Sequence, residues 1–109
     1  MNSQPTDRLA QLLNFYEQDP DDTFVAFAIA LEYNSLGNYE RARKMFELIY
    51  EKNPSYVALY YQYGRLMEKL GQVELAQKLY EEGMHYAEKQ GEVRTRAELF
   101  AALQDLLER

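Results

Sequence analysis

An all-α fold, a right-handed solenoid of antiparallel helix pairs with about six helices and a C-terminal capping helix, is what this 109-residue sequence predicts. Three observations lead there: apolar residues recur at helical spacing, one stretch of chain echoes another 34 residues earlier, and glycines stand where helices should stop. A chain of this size buries roughly two thirds of its unfolded surface, enough for a single domain over residues 1–109. Twelve Lys plus Arg against 18 Asp plus Glu give a net charge of -6, which repels phosphate backbones and anionic lipid. Nucleic acid and membrane surfaces are therefore excluded as expected partners. The absence of cysteine excludes disulfides, thiolate metal sites and thiol catalysis together.

The first helix is expected over residues 6–19. Thr6 can cap it, Leu9, Leu12, Leu13 and Tyr16 form its apolar stripe, and Asp19-Pro20 ends it. It reads as half a repeat. The first full unit runs 23–56, where Ala26, Ile29, Ala30 and Tyr33 share one helical face and Gly37 follows the helix end. Its second helix carries Ala42, Met45, Phe46 and Ile49, and Asn53-Pro54 stops it. The second unit, 57–90, repeats the first at an offset of 34: Leu36-Gly37 returns as Leu70-Gly71, Glu40 as Glu74, Ala42 as Ala76, Lys44 as Lys78 and Glu47 as Glu81. Conservative pairs join them, Phe27 with Tyr61, Ala30 with Gly64, Met45 with Leu79 and Phe46 with Tyr80. Glu88 stands where the first unit has Pro54, so this second helix is expected to run on to Gly91. Over 92–108 a last helix is expected to lie on Val93, Ala97, Phe100, Leu103 and Leu107, turning Glu92, Arg94, Glu98, Asp105 and Arg109 outward as a polar lid.

The small residues have a mechanical reason. Antiparallel helices joined by a short turn approach closely only where one presents almost no side chain, as at Ala30, Gly64, Ala42 and Ala76, and Phe46 and Tyr80 fill the space beside them.

In these residues the chain resembles the tetratricopeptide repeat family, and loosely its small free-standing bacterial members. That family's 34-residue helix-turn-helix unit has small residues at its eighth and twentieth positions, aromatics at the fourth and eleventh, glycine at the fifteenth and proline at the thirty-second. Here those positions read Ala30, Ala42, Ala26, Tyr33, Gly37 and Pro54, then Gly64, Ala76, Tyr60, Met67, Gly71 and Glu88. Ala26, Met67 and Glu88 depart from the pattern. The resemblance implies a protein-binding module whose first helices line a concave face. It also implies what is missing: chaperone-binding members grip a carboxyl terminus through Lys, Asn and Arg at positions held here by Phe27, Leu31, Gln62, Glu92 and Arg96.

The residues offer little catalytic chemistry. His85, the one imidazole, has Glu81 and Glu82 on its own helix and reads as a surface histidine paired with a carboxylate rather than half of a metal site. Asp19-Pro20-Asp21-Asp22 gathers carboxylates, but a calcium loop would need glycine where Phe24 stands and glutamate where Ala30 stands. Asp21 and Asp22 suit the amino end of the next helix instead. Ser3, Ser35 and Ser55 have no base in an evident set, and the five glycines form no phosphate loop. No enzyme activity, cofactor or metal is expected. The start Met-Asn-Ser-Gln-Pro-Thr-Asp-Arg lacks a basic region followed by an apolar one, and the longest apolar run, Phe24 to Leu31, is too short to span a bilayer, so a cytoplasmic protein is expected.

Ten tyrosines remain to be explained, three of them in Tyr60-Tyr61-Gln62-Tyr63. Tyr60 and Tyr63 fall on the core face of the repeat. Tyr61 and its counterpart Phe27 do not, and with Phe24, Leu31, Gln62 and Arg65 they form an aromatic and aliphatic strip with one cation. Such a strip suits a peptide or helix of a partner protein held in the concave groove, the role of an adaptor. The other reading places the strip under the end helices of the same monomer. On the first reading the protein is a non-catalytic interaction module. Its rival is a structural module that buries an apolar strip or end helix in a homodimer.

Overall fold

The computed structural model describes residues 6–109, and these contain six helices: α1 Asp7–Gln18, α2 Thr23–Ser35, α3 Tyr39–Lys52, α4 Ala58–Lys69, α5 Val73–Gln90 and α6 Val93–Leu107. They fall into two compact units. One ends at Asn53 and holds α1 to α3; the other is Pro54–Arg109 and holds α4 to α6.

In the first unit, α2 packs on both α1 and α3. Thr6 caps α1, its Oγ1 accepting from the Leu9 N–H at 2.9 Å while donating to Glu32 Oε2 at 3.1 Å. Arg8 Nε lies 3.3 Å from the other Glu32 oxygen, so one carboxylate on α2 holds the start of α1 twice. Leu9 is buried beneath it, and Leu12, Leu13 and Tyr16 are half-buried. The Asp22 carboxylate caps α2 by accepting from Val25 N–H at 3.1 Å. Ala26, Ile29, Ala30 and Tyr33 bury the face that the spacing assigns, against Ala42, Phe46 and Ile49 of the second helix of the pair. Between the two helices Gly37 adopts φ +79°, a left-handed conformation that a Cβ would strain.

In the second unit the pair α4 and α5 closes on two glycines. A Cβ on Gly64 would stand 2.4 Å from the Tyr80 ring, and one on Gly83 would stand 2.5 Å from Tyr60 Cβ and 2.9 Å from Leu99 Cδ1. The rings therefore occupy the volume that the missing side chains vacate. Tyr60 also stacks on Tyr86, with centroids 5.8 Å apart, and its hydroxyl donates to the Pro54 carbonyl. The Tyr80 hydroxyl donates to Glu68, whose other oxygen pairs with Arg109 at 2.8 Å, so a chain of polar contacts runs from the α4–α5 crossing to the end of α6. In the first unit the counterparts of Glu68 and Tyr80 are Asn34 and Phe46. Phe46 has no hydroxyl, and Asn34 Oδ1 is buried without a hydrogen-bond partner among the described residues.

The helix α5 runs to Gln90, one turn beyond the residue that matches the end of α3, and Gly91 closes it at φ +72°. Gln90 Nε2 donates to the Ser55 carbonyl at 2.8 Å, tying down that extra turn.

The last helix departs from expectation. Its buried residues are Leu99, Leu103 and Leu106, whereas Val93, Phe100 and Leu107 are 80%, 48% and 54% exposed and Ala97 is exposed too. At about 100° per residue, α6 carries two apolar stripes that meet near the buried Leu103, and apart from that residue the expected stripe is the one that faces solvent. The reason lies in register. The extra turn of α5 is matched by an extra turn at the start of α6, so α6 aligns with α4 at an offset of 40: Leu99 matches Leu59, Leu103 matches Tyr63 and Leu106 matches Leu66, all six buried. The lid consequently exposes an apolar stripe beside Glu92, Arg94, Glu98, Asp105 and Arg109, which face outward as expected.

Two outcomes test this packing. Gly83→Ala gains about 0.5 to 1 kcal/mol of helix propensity but forces a methyl against Tyr60 Cβ, an overpacking that typically costs about 1 to 3 kcal/mol. A net loss in thermal stability is expected, and a melting temperature at or above wild type contradicts the tight crossing. Tyr80→Phe leaves the nearly buried Glu68 carboxylate one donor short and is expected to cost about 1.5 to 3 kcal/mol by denaturant titration. Burial first, and then the Glu68 hydrogen bond, raises the Tyr80 phenol well above its ordinary value. The stabilisation is thus intact below the unfolded value near 10 and is lost as pH rises beyond it, so wild type should lose stability above about pH 10 more steeply than Tyr80→Phe.

Candidate protein-binding surface

The first unit contributes Phe24, Phe27 and Leu31, at i, i+3 and i+7 on α2 and so along one face. Phe24 is 69% exposed, and Phe27 and Leu31 are half-buried. The Phe27 ring lies 6.2 Å from that of the fully buried Phe46, tilted by 52°. Phe27 therefore anchors α2 to α3 as well as presenting an edge outward, which corrects the expectation that it stands off the core.

The second unit contributes Tyr61, Gln62 and Arg65 on α4. Tyr61 and Gln62 are half-buried and Arg65 is exposed. The Arg65 guanidinium carbon sits 5.8 Å from the Tyr61 ring centroid, and Nη1 donates to Tyr61 Oη at 3.2 Å. This i, i+4 pair forms one wall of an open depression of about 430 Å³ whose other wall is α6, through Glu98, Ala101, Ala102 and Asp105. On α6 the lining combines two alanines with two carboxylates, and on α4 a ring with a guanidinium. Asp105 is also paired with Arg109 at 2.9 Å. The α6 residues of this depression were missed by the sequence reading, which turned Glu98 and Asp105 outward. The signal that finds them is the match of Leu99, Leu103 and Leu106 to the buried face of α4.

The remaining chemistry is dispersed. His85 is exposed and meets the Tyr86 ring edge-on, with centroids 5.6 Å apart, while Glu81 accepts from Gln77 and Glu82 lies 4.0 Å from Lys78. Glu81 and Glu82 thus turn to side chains other than His85. Asp22 caps α2 and Asp21 pairs with Lys52 at 3.5 Å. Among the described residues no three His, Asp or Glu side chains gather as a metal site, and no helix is long and apolar enough to cross a membrane. Ser3, with the rest of the amino-terminal stretch before Thr6, lies outside the described residues.

The helical fold is matched by known proteins. The family model of the tetratricopeptide repeat matches residues 33–99, and the chain belongs to that family. A solution structure of a tetratricopeptide repeat domain protein from Salinibacter ruber is 34% identical over 81% of this chain and 89% of its own, with a TM-score of 0.77. A crystal structure of a tetratricopeptide repeat domain protein from the same organism is 33% identical over 78% and 96%, at 0.76. A protein from Bordetella parapertussis shares the fold at 18% identity, covering 94% of this chain and 90% of its own with a TM-score of 0.80. None of the curated proteins matches the chain. Tetratricopeptide repeats are in general protein–protein interaction modules.

The register of α6 bears on the carboxylate grip of the chaperone-binding members. At an offset of 40 from α4, the second and sixth positions of the last unit are Glu98 and Ala102, not Glu92 and Arg96. The cations that such a grip needs are replaced by an acid and a methyl group. Titration of an acidic carboxyl-terminal peptide into the protein is expected to give no signal at micromolar concentration, and saturable binding there would overturn this assignment.

Proposed function

We propose that the protein is a non-catalytic adaptor that binds an extended or helical segment of another protein through the outward face of α4, at Tyr61, Gln62 and Arg65; the outward face of α2, with Phe24, Phe27 and Leu31, is a second surface taken by itself. The observation that carries the reading is the Tyr61–Arg65 pair beside an open depression with carboxylates on its far wall. A flat ring gives a partner contact area at little cost in side-chain entropy, and a guanidinium held against it is already oriented for a carboxylate or a backbone carbonyl. Glu98 and Asp105 offer acceptors for a cationic or amide group on the same ligand. Paired helices lose little freedom on binding, so such contacts convert more fully into affinity. The chain's acidic balance favours partners that are not themselves strongly acidic.

A peptide library displayed on phage and selected against the wild-type chain supplies a ligand for the test. Tyr61→Ala and Arg65→Ala are expected to weaken the selected peptide by about 2 kcal/mol, roughly 30-fold, with thermal stability near wild type. His85→Ala should leave it unchanged. Phe27→Ala is a poor probe because it also removes a ring from Phe46. Selected peptides that bind the Tyr61 and Arg65 variants as wild type, yet are lost on changing His85, would place the binding surface elsewhere.

A further inference from the structure

Two helices expose the face that their counterparts bury. In the second unit α4 buries Tyr60, Gly64 and Met67 against Ala76, Tyr80 and Gly83 of α5. The register of 40 maps that α4 face onto Phe100, Gln104 and Leu107 of α6, all of them exposed, with Ala97 and Val93 extending the stripe by about two turns. So α6 is a first helix whose outward face has the character of one that receives a second helix. The converse holds for α1. Phe15-Tyr16-Glu17-Gln18-Asp19-Pro20 parallels Ile49-Tyr50-Glu51-Lys52-Asn53-Pro54 at the repeat offset of 34, which makes α1 a second helix. The buried Ala42, Phe46 and Ile49 of α3 map onto Arg8, Leu12 and Phe15, of which Arg8 is exposed, Leu12 half-buried and Phe15 54% exposed.

We propose that copies of this chain stack head to tail, the open face of α6 on one copy receiving the open face of α1 on the next and completing a helix pair between them. The contacts inside the α4–α5 pair give the register. Tyr60 meets Gly83 and Gly64 meets Tyr80, so Phe100 comes against Phe15 of the next copy and Gln104 against its Leu12. Glu68 accepts from Tyr80, which places Glu108 beside Leu12 and one turn from Arg8. Both positions that are small within the pairs are polar at this junction, Gln104 for Gly64 and Arg8 for Ala76, and they are complementary. The guanidinium donates where the Gln104 amide oxygen and the Glu108 carboxylate accept. The larger side chains hold the two helices further apart than α4 and α5, so the junction is weaker and reversible. A heterologous contact of this kind grows into open chains or closes into a ring. Its residues differ from those proposed for partner binding, and the two proposals stand or fall separately.

The test follows mass against concentration by sedimentation velocity, over roughly 10 to 300 µM, a range suited to an interface one helix wide. The wild-type average mass is expected to climb above the 12.9 kDa of one chain. Phe15→Asp and Phe100→Asp should each weaken association at least tenfold while leaving the circular dichroism and melting temperature near wild type, because both rings face outward. An equimolar mixture of the two variants retains one intact α6 face and one intact α1 face, and is expected to give a two-chain species that grows no further. In a second test, Glu108→Arg should weaken association by setting a cation toward Arg8 of the next copy, while leaving intact the Arg8–Glu32 pair that holds α1 on α2. The proposal is overturned if wild type stays monomeric across the range, if Phe15→Asp associates as wild type does while Phe100→Asp does not, or if the mixed variants fail to pair.

Discussion

The close crossing of α4 and α5 is the constraint on which the second unit depends. Two glycines, Gly64 and Gly83, let two tyrosines occupy the space between the helix backbones, so the pair is held by interlocking volume rather than by area alone. Everything else in the unit is positioned from that lock. Tyr60 reaches on to Tyr86 and to the Pro54 carbonyl, and Tyr80 to Glu68 and through it to Arg109. Leu99 packs directly over Gly83, so the orientation of α6 is set at the same place. The first unit keeps one of these pairings, with Ala30 and Phe46 in the places of Gly64 and Tyr80, and exchanges the sizes at the other, with Ala26 and Ile49 in the places of Tyr60 and Gly83.

The helices and their ends were legible because each is set by local chemistry. Thr6 and Asp22 accept from the backbone N–H three residues on, glycine turns left-handed where the first helices stop, and Asn53-Pro54 ends α3. The faces of α2 to α5 were legible because the repeat reports each of them twice, and two copies of one pattern remove the ambiguity that a single amphipathic helix leaves. The helix α6 had no such second copy at the offset of 34. It has five apolar residues on one stripe and three leucines on another, with Leu103 near the border of both, and periodicity alone does not rank them. What ranks them is the extra turn of α5, which Glu88 and Gly91 announce in the sequence, together with the matching extra turn of α6, which shows only in the packing of Leu99 over Gly83.

The same error of register hid half of the depression beside Arg65. A residue such as Glu98 reads as solvated in any helix, and nothing in its own neighbourhood of sequence says that Tyr61 and Arg65 stand opposite. The contact between α4 and α6, which are not neighbours in the chain, becomes legible once α6 is aligned with α4 at an offset of 40 rather than 34. Phe27 illustrates the reverse case. Its place off the core stripe was read correctly from periodicity, but a ring is long enough to reach Phe46 from there, so burial follows the length of a side chain as well as its angle.

This difference between Phe27 and Tyr61 separates the two units in what their outward faces can tolerate. On α4 the faces are divided by angle: Tyr60, Gly64 and Met67 close on α5, Leu59, Tyr63 and Leu66 are buried, and Tyr61 and Arg65 hold each other on the outside. Substitution at Tyr61 or Arg65 disturbs a contact that both partners make at the surface, where an ion or ring contact contributes little to stability. On α2 the corresponding aromatic shares its ring with the core, so a change there alters the α2–α3 packing before it alters any surface. The outward face of α2 is consequently held to residues that still fill the space above Phe46, whereas that of α4 is held by the half-buried Tyr61 and Gln62 and leaves the exposed Arg65 freer to change.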